Sequence, residues 1–189
     1  SFADEISVLA EPTSDHDALR QAVRSIRPGG SSRVYDAVCF VINQRVDSLQ
    51  GRKAIILFTD GVDNASRDAT RESSLQGIRK SEALVYPIQF STYRYMNAKS
   101  APTRRAPPEG SGFSLVDYLR ADAYLHQVAQ ETGTPLYPAY DINDLDRAVA
   151  SIVEELHNEY NLGYYPRASG QPGEFRRFEV RVSQPQLVV

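Results

Sequence analysis

The chain has 189 residues and a formal net charge of −3. That length suits one domain with a full core and a small appendage, and that charge gives no reason to expect nucleic acid or an anionic membrane surface as partner. No apolar run approaches the roughly 20 residues that span a bilayer, so membrane insertion is not expected, and the single cysteine, Cys39, excludes an intrachain disulfide or a zinc site built on thiolates.

Phe2, Ile6 and Val8 to Ala10 read as the end of one strand and a short following strand, with Asp4-Glu5 as the turn. Ser14-Asp15-His16-Asp17 is a helix start with acids in its first turn. Leu19, Ala22, Val23 and Ile26 repeat at helical spacing, and Pro28-Gly29-Gly30 is the expected stop. Ser31-Ser32-Arg33 leads into a second helix with the apolar face Val34, Val38, Val41, Ile42, Val46 and Leu49. Cys39 falls within that helix and reads as a buried structural thiol.

Lys53 opens the central stretch. Ala54 to Phe58 is an unbroken apolar run, too short for a free-standing helix, that stops at Thr59-Asp60-Gly61. A strand apolar on both faces belongs inside a parallel sheet covered by helices. Ligands of such sheets bind beyond the carboxyl ends of the strands, where Thr59, Asp60 and Asp63 lie. Asp60 can hold a hard cation or a polar ligand there. Asp60 and Asp63 can equally be turn and capping residues.

A weak helix around Leu75 and Ile78 follows, then a strand over Ala83 to Phe90. Pro87 cannot donate to a ladder, so a bulge or a missing neighbour is expected there. Residues 92–112 form a long loop in which Arg94, Lys99, Arg104 and Arg105 face one acid, Glu109. It reads either as a basic recognition arm or as a surface insertion. Leu115, Tyr118, Leu119, Leu125, Val128 and Ala129 make the next helix, which Gly133 stops. Pro135 to Tyr137 is a short strand. Leu145, Ala148, Val149, Ile152, Val153 and Leu156 form an amphipathic helix. Asn161 to Tyr165 and Phe175 to Val182 are strand-like and read as a hairpin. The alternation of helices and strands implies an α/β layered fold. His16, His126 and His157 are far apart in sequence and signal neither a metal nor a triad.

Two loops, Gly29 to Ala37 and Leu57 to Asn64, taken with the terminal segment Tyr160 to Pro166, resemble the von Willebrand factor type A (VWA) domain, and most closely the bacterial VWFA-related proteins. The resemblance implies a doubly wound, Rossmann-like, mostly parallel sheet flanked by helices. It implies a VWA-like domain over 1–159 and a β-hairpin extension over 160–189. It further implies a non-enzymatic module that binds protein through a metal-ion-dependent adhesion site. Ser32 falls at that site's threonine position and Asp60 at its aspartate position. Thr59, Asp63, Arg94, Arg104 and Arg105 are candidate ligand-binding residues beside them.

The family's Asp-x-Ser-x-Ser does not occur in this sequence. Mg²⁺ takes six oxygens, so Mg²⁺ or Mn²⁺ binding by Ser32 and Asp60 alone is expected to be weak or absent. The chain reads as a piece of a longer protein lacking its first strand and helix, or as a degenerate member of the family. The implied partner is a protein presenting a carboxylate, with self-association through the open sheet edge as a further expectation. The resemblance points to a secreted or periplasmic compartment. Two other functions stay open: a metal-assisted hydrolase of phosphate esters using Asp60 and Asp63, and an interaction domain that needs no metal.

Overall fold

Two apolar runs of strand length set the centre of the structure, a computed structural model that describes residues 1–27, 29–46, 49–90 and 113–158. β1 (Ala54–Thr59) and β2 (Leu84–Phe90) pair in parallel, Ala54 opposite Leu84 through Thr59 opposite Gln89. β3 (Tyr137–Ala139) pairs in parallel with residues 88–90 on the other side of β2. The sheet is open, with strand order β1-β2-β3 among the described residues. The helices are α1 (His16–Arg24), α2 (Val34–Val41), α3 (Arg71–Lys80), α4 (Leu115–Thr132) and α5 (Ile142–His157). The α/β class expected from the sequence is what the chain adopts. The chain divides into two units, Ser1–His157 and Asn158–Val189, and every element named here belongs to the first.

β2 carries the packing. Val85 points to one face, into a cluster with Val34, Val38 and Ile42 from the α2 region, Leu75 and Ile78 of α3, and Tyr124, Leu125 and Val128 of α4. Tyr86 and Ile88 point to the other face, against Ala139 and against Ala148 and Ile152 of α5. Helices thus cover both faces of the middle strand. Fully burying one such aliphatic side chain stabilises by about 1.5–3 kcal/mol, so the two clusters together fix the layers.

Several expectations need correction. β1 is not buried on both faces. Leu57 is 5% exposed, but Ile56 and Phe58 are each 47% exposed. The reason is that α5 lies over β2 and β3 and leaves the same face of β1 bare among the described residues. The amino-terminal strands reduce to one antiparallel bridge, Phe2 with Ile6. α1 starts as expected, with the Asp15 carboxylate accepting from the N–H of Asp17 and Ala18, but it stops at Arg24 and buries no residue. α2 ends at Val41 and continues as a π-helical turn, Ile42–Val46, while Leu49 is exposed. In α4, Leu115 and Leu119 are exposed, and Ala121 and Tyr124 take the buried places. Val149 and Val153 of α5 are exposed too.

Pro87 illustrates how the sheet absorbs a breaker. The Leu84 N–H donates to the Lys53 carbonyl on the β1 side. Val85 has its backbone partners on the other side, in the Thr132 and Thr134 hydroxyls. Pro87 shares the parity of Val85, so its donorless nitrogen faces the β3 edge, one residue before β3 begins to pair at Ile88. The neighbour is missing there and no bulge forms, since pairing with β1 runs unbroken.

Ile152 is fully buried, whereas Val153 is 44% exposed. Ile152→Ala should therefore lower unfolding free energy by about 2–5 kcal/mol, and Val153→Ala by less than about 0.5 kcal/mol. Urea denaturation of both variants checks which face of α5 is the packed one.

Candidate functional site

The carboxyl end of β1 runs into a loop, residues 60–70, that holds itself together with side chains rather than with a ladder. At its start the Thr59 hydroxyl accepts the Gly61 N–H (3.0 Å) and Asp60 Oδ1 accepts the Val62 N–H (3.0 Å). Gly61 has φ +82°, and a Cβ there would sit 2.9 Å from Leu125 Cδ1 and 3.1 Å from the Ala121 carbonyl oxygen. Glycine is the residue that adopts this turn while α4 presses against the backbone.

Three side chains tie this loop to the one that precedes α2. Asp36 is 4% exposed. Its carboxylate accepts the N–H groups of Arg67 (2.9 Å), Asp68 (3.1 Å) and Ala69 (2.7 Å). The Arg33 guanidinium closes the set, with Nε at 2.8 Å and Nη2 at 2.6 Å. Asp63 works in the reverse direction: Oδ2 accepts the Tyr35 N–H (3.0 Å) and the Ser66 hydroxyl, and Oδ1 accepts the Ser66 N–H (3.2 Å). Asn64 completes the join. Its Oδ1 accepts the Ser32 N–H (2.6 Å), while the Ser32 carbonyl accepts the N–H of Asn64 and Ala65.

Ser32 and the Asp60 loop therefore share one rim of the sheet, as the sequence implies. The other candidates have different standing. Thr59 is buried and its hydroxyl shapes the Gly61 turn. Asp63 is engaged through both carboxylate oxygens. Arg94, Arg104 and Arg105 lie outside the described residues, as does the 160–189 hairpin. Sequence reasoning missed Asp36, Asn64 and Ser66. The Arg33–Asp36 pair at helical spacing was a readable signal, but their backbone partners at 67–69 were not. It also missed the far side of the rim. There Gln89, paired in register with Thr59, donates to Asp122 of α4 (3.2 Å).

The two carboxylates of greatest interest shift in opposite directions. Burial pushes Asp36 up, but the Arg67 N–H, the Arg33 guanidinium and the N–H groups of Ala69 and Asp68 together outweigh it, and its pKa falls below the usual value. Burial also pushes Asp60 up. The Val62 N–H and its own N–H pull the other way without offsetting it, so its pKa stands above the usual value.

The residues present do not make a complete divalent-cation site. One hydroxyl and one carboxylate fall well short of the six oxygens that Mg²⁺ takes. No group of three or more His, Cys, Asp or Glu side chains converges among the described residues.

Comparison with known proteins adds little. No family model matches the chain. No curated protein matches it either. Among solved structures it is similar to an uncharacterized membrane spanning protein from Vibrio fischeri, at 15% identity over 82% of this chain and 72% of that one, with a TM-score of 0.37. A likeness that loose carries no argument about function. Among the described residues, no helix is long and apolar enough to cross a membrane.

The opposite shifts give opposite signatures. Asp36 has a depressed folded pKa, so its stabilisation is present above the unfolded value, near pH 4, and is lost as pH falls through the folded value. Asp36→Asn should cost on the order of 3 kcal/mol at pH 7 and flatten the acid limb of the stability curve. Asp60 has a raised folded pKa, so stability falls as pH rises from the unfolded value through the folded one. Asp60→Asn should hold or raise the melting temperature at pH 7. Thermal melts from pH 3 to 8 read both effects.

Proposed function

We propose that the chain is a non-enzymatic protein-binding module of the VWA type, VWFA-related, whose sheet is part of a doubly wound, Rossmann-like layer. Its ligand-facing rim is the loop pair 31–36 and 60–69. One observation carries this reading. Asp36 and Asp63 spend their charges on clamping the two loops together, while Asp60 is left desolvated at the same rim with only backbone N–H groups to offset its burial. A rigid rim that holds one poorly compensated carboxylate is what a binding surface needs. Preorganised loops lose less entropy on association, and a perturbed carboxylate at a rim is a functional-site signal.

The hydrolase alternative loses support from the same geometry. It needs Asp63 as a second free carboxylate, and both Asp63 oxygens already accept from the chain. The Ser66 hydroxyl does donate to Asp63 at this rim, but that carboxylate also accepts the N–H groups of Tyr35 and Ser66 and serves as the tie between the loops. Mg²⁺ or Mn²⁺ would engage Asp60 with the Ser32 hydroxyl, and weakly, since two protein groups leave most of the coordination to water. A partner's carboxylate belongs to this picture where such a cation lies between it and Asp60.

Calorimetric titration with Mn²⁺ and with Mg²⁺ tests the proposal. The expected result is weak binding, with a Kd of roughly 1 mM or above, abolished by Asp60→Ala and unchanged by Asp146→Ala on the far helix. Micromolar binding that ignores Asp60→Ala would reject the rim. Turnover of p-nitrophenyl phosphate that disappears in Asp60→Ala would reject the non-enzymatic reading.

A further inference from the structure

Two helical stripes face each other across an open groove of about 490 Å³. Asp36, Cys39 and Asn43 follow at three and four residues along α2 and into its π-helical turn, and Ser73, Gly77 and Lys80 do so along α3. Such spacing puts residues on one face of a helix. Two features set this groove apart from an ordinary seam between helices. The first is Gly77, in the interior of α3, where only proline costs a helix more. A Cβ there would meet nothing nearer than Ile42 Cδ1 at 3.9 Å, an ordinary contact, so packing does not demand glycine. Its missing side chain leaves the floor of the groove clear, as glycine does where another backbone comes close. The second is the turn Ile42–Val46 itself, a rare form found mostly at functional sites. It brings the side-chain amides of Asn43 and Gln44 to one wall, opposite that of Gln76 on the other, and none of the three amides is bonded within the described residues.

The ends of the groove carry opposite charge. Beside the 60–69 loop, Asp36 and Asp68 share the one guanidinium of Arg33, which leaves a negative charge over. At the far end Lys80 has no ion pair among the described residues. α3 runs from Arg71 to Lys80 between them, which at ~1.5 Å per residue makes the groove about 13 Å long. We infer that it takes an extended segment of a partner protein, with a basic side chain at Asp68, an acidic one at Lys80, and the backbone between them bonded by the amides of Asn43, Gln44 and Gln76. About four steps of extended chain, at ~3.3 Å each, cover that length. A primary amide donates to and accepts from a peptide backbone at once, and Gly77 lets that backbone lie against α3. Asp60 is not among the walls of this groove, so the inference stands apart from the rim.

Cys39 is the chain's single cysteine and lies in the groove, so the rate at which it reacts with a chromogenic aryl disulfide reports occupancy. The test times that reaction in the full chain with pools of end-capped peptides: Arg-X-X-X-Glu, Glu-X-X-X-Arg, Arg-X-X-X-Arg and Gln-X-X-X-Gln. One of the two pools of opposed charge should slow labelling by roughly 10-fold at about 1 mM peptide, as a Kd near ~0.1 mM requires, and the Gln pool should not. Lys80→Glu should abolish that protection and transfer it to Arg-X-X-X-Arg. Gly77→Leu should raise the melting temperature, because it favours the helix, while the ratio of labelling rates with and without peptide returns to unity. Asp60→Ala should leave protection as it is. If neither pool of opposed charge protects Cys39, or the Gln pool protects it equally, the inference is overturned. Protection that survives Gly77→Leu, or that Lys80→Glu fails to redirect, would overturn the placement along α3. Protection lost in Asp60→Ala would assign the peptides to the rim and overturn the groove.

Discussion

A single buried carboxylate decides whether this rim exists. Residues 60–70 leave β1 with no ladder to follow, and unpaired backbone N–H groups at Arg67, Asp68 and Ala69 would be costly beside a packed core. Asp36 accepts all three and carries Arg33 with it. It does so from the first turn of α2, where a negative charge is also favoured by the helix dipole. Since α2 packs through Val34 and Val38 into the main core, the loop is fastened to that core. Asp63 and Asn64 repeat the arrangement from the other side, reaching back to Tyr35 and Ser32. The two loops behave as one body because each supplies acceptors for donors of the other.

That fastening explains the contrast between neighbouring acids. Charge-assisted hydrogen bonds stabilise Asp36 in its ionised form. Asp60 is also drawn out of water, at the end of a strand whose inner face is core, yet it has no guanidinium and no cluster of amides. Packing of Gly61 against Leu125 and the Ala121 carbonyl keeps the turn from opening to solvate it. A fold retains such a group at some cost in stability, and sites that bind other molecules are where that cost is commonly found. The same rim continues to β2, where Gln89 meets Asp122, so the binding surface we propose is broader than one loop.

The sheet is asymmetric for an equally simple reason. Among the described residues, β2 lies between two strands and two layers of helices, while β1 has a neighbour on one edge and helices on one face. Apolar side chains that are otherwise alike therefore have opposite environments within one strand: Leu57 is buried and Phe58 is not. Phe58 keeps some contact by leaning on Phe90, ring centroids 5.8 Å apart, but that covers only part of it. α1 shows the same condition, with an apolar stripe that buries nothing.

Local signals were read well where they act locally. Asp15 caps α1, Gly133 closes α4 in the left-handed conformation, and Pro87 falls where the ladder has no acceptor to lose. The alternation of helices with β1, β2 and β3, and the place of Asp60 at the carboxyl end of β1, were legible from pattern and order, whereas the position of Ser32 beside that loop came only from the resemblance to the VWA domain. Burial was not. An apolar run states what a strand could bury, and Ile56 and Phe58 show that the neighbouring layer decides what it does bury. The roles of Asp36 and Asp63 were equally hidden, because their partners are backbone N–H groups about thirty residues away and carry no side-chain signature. The sequence by itself determined which segments become helix or strand and which residues reach the carboxyl edge, since those follow from short-range periodicity and turn chemistry. Only the tertiary structure decided which carboxylates are consumed in holding the rim and which is left with few donors, since that depends on which N–H groups the fold brings within hydrogen-bond reach.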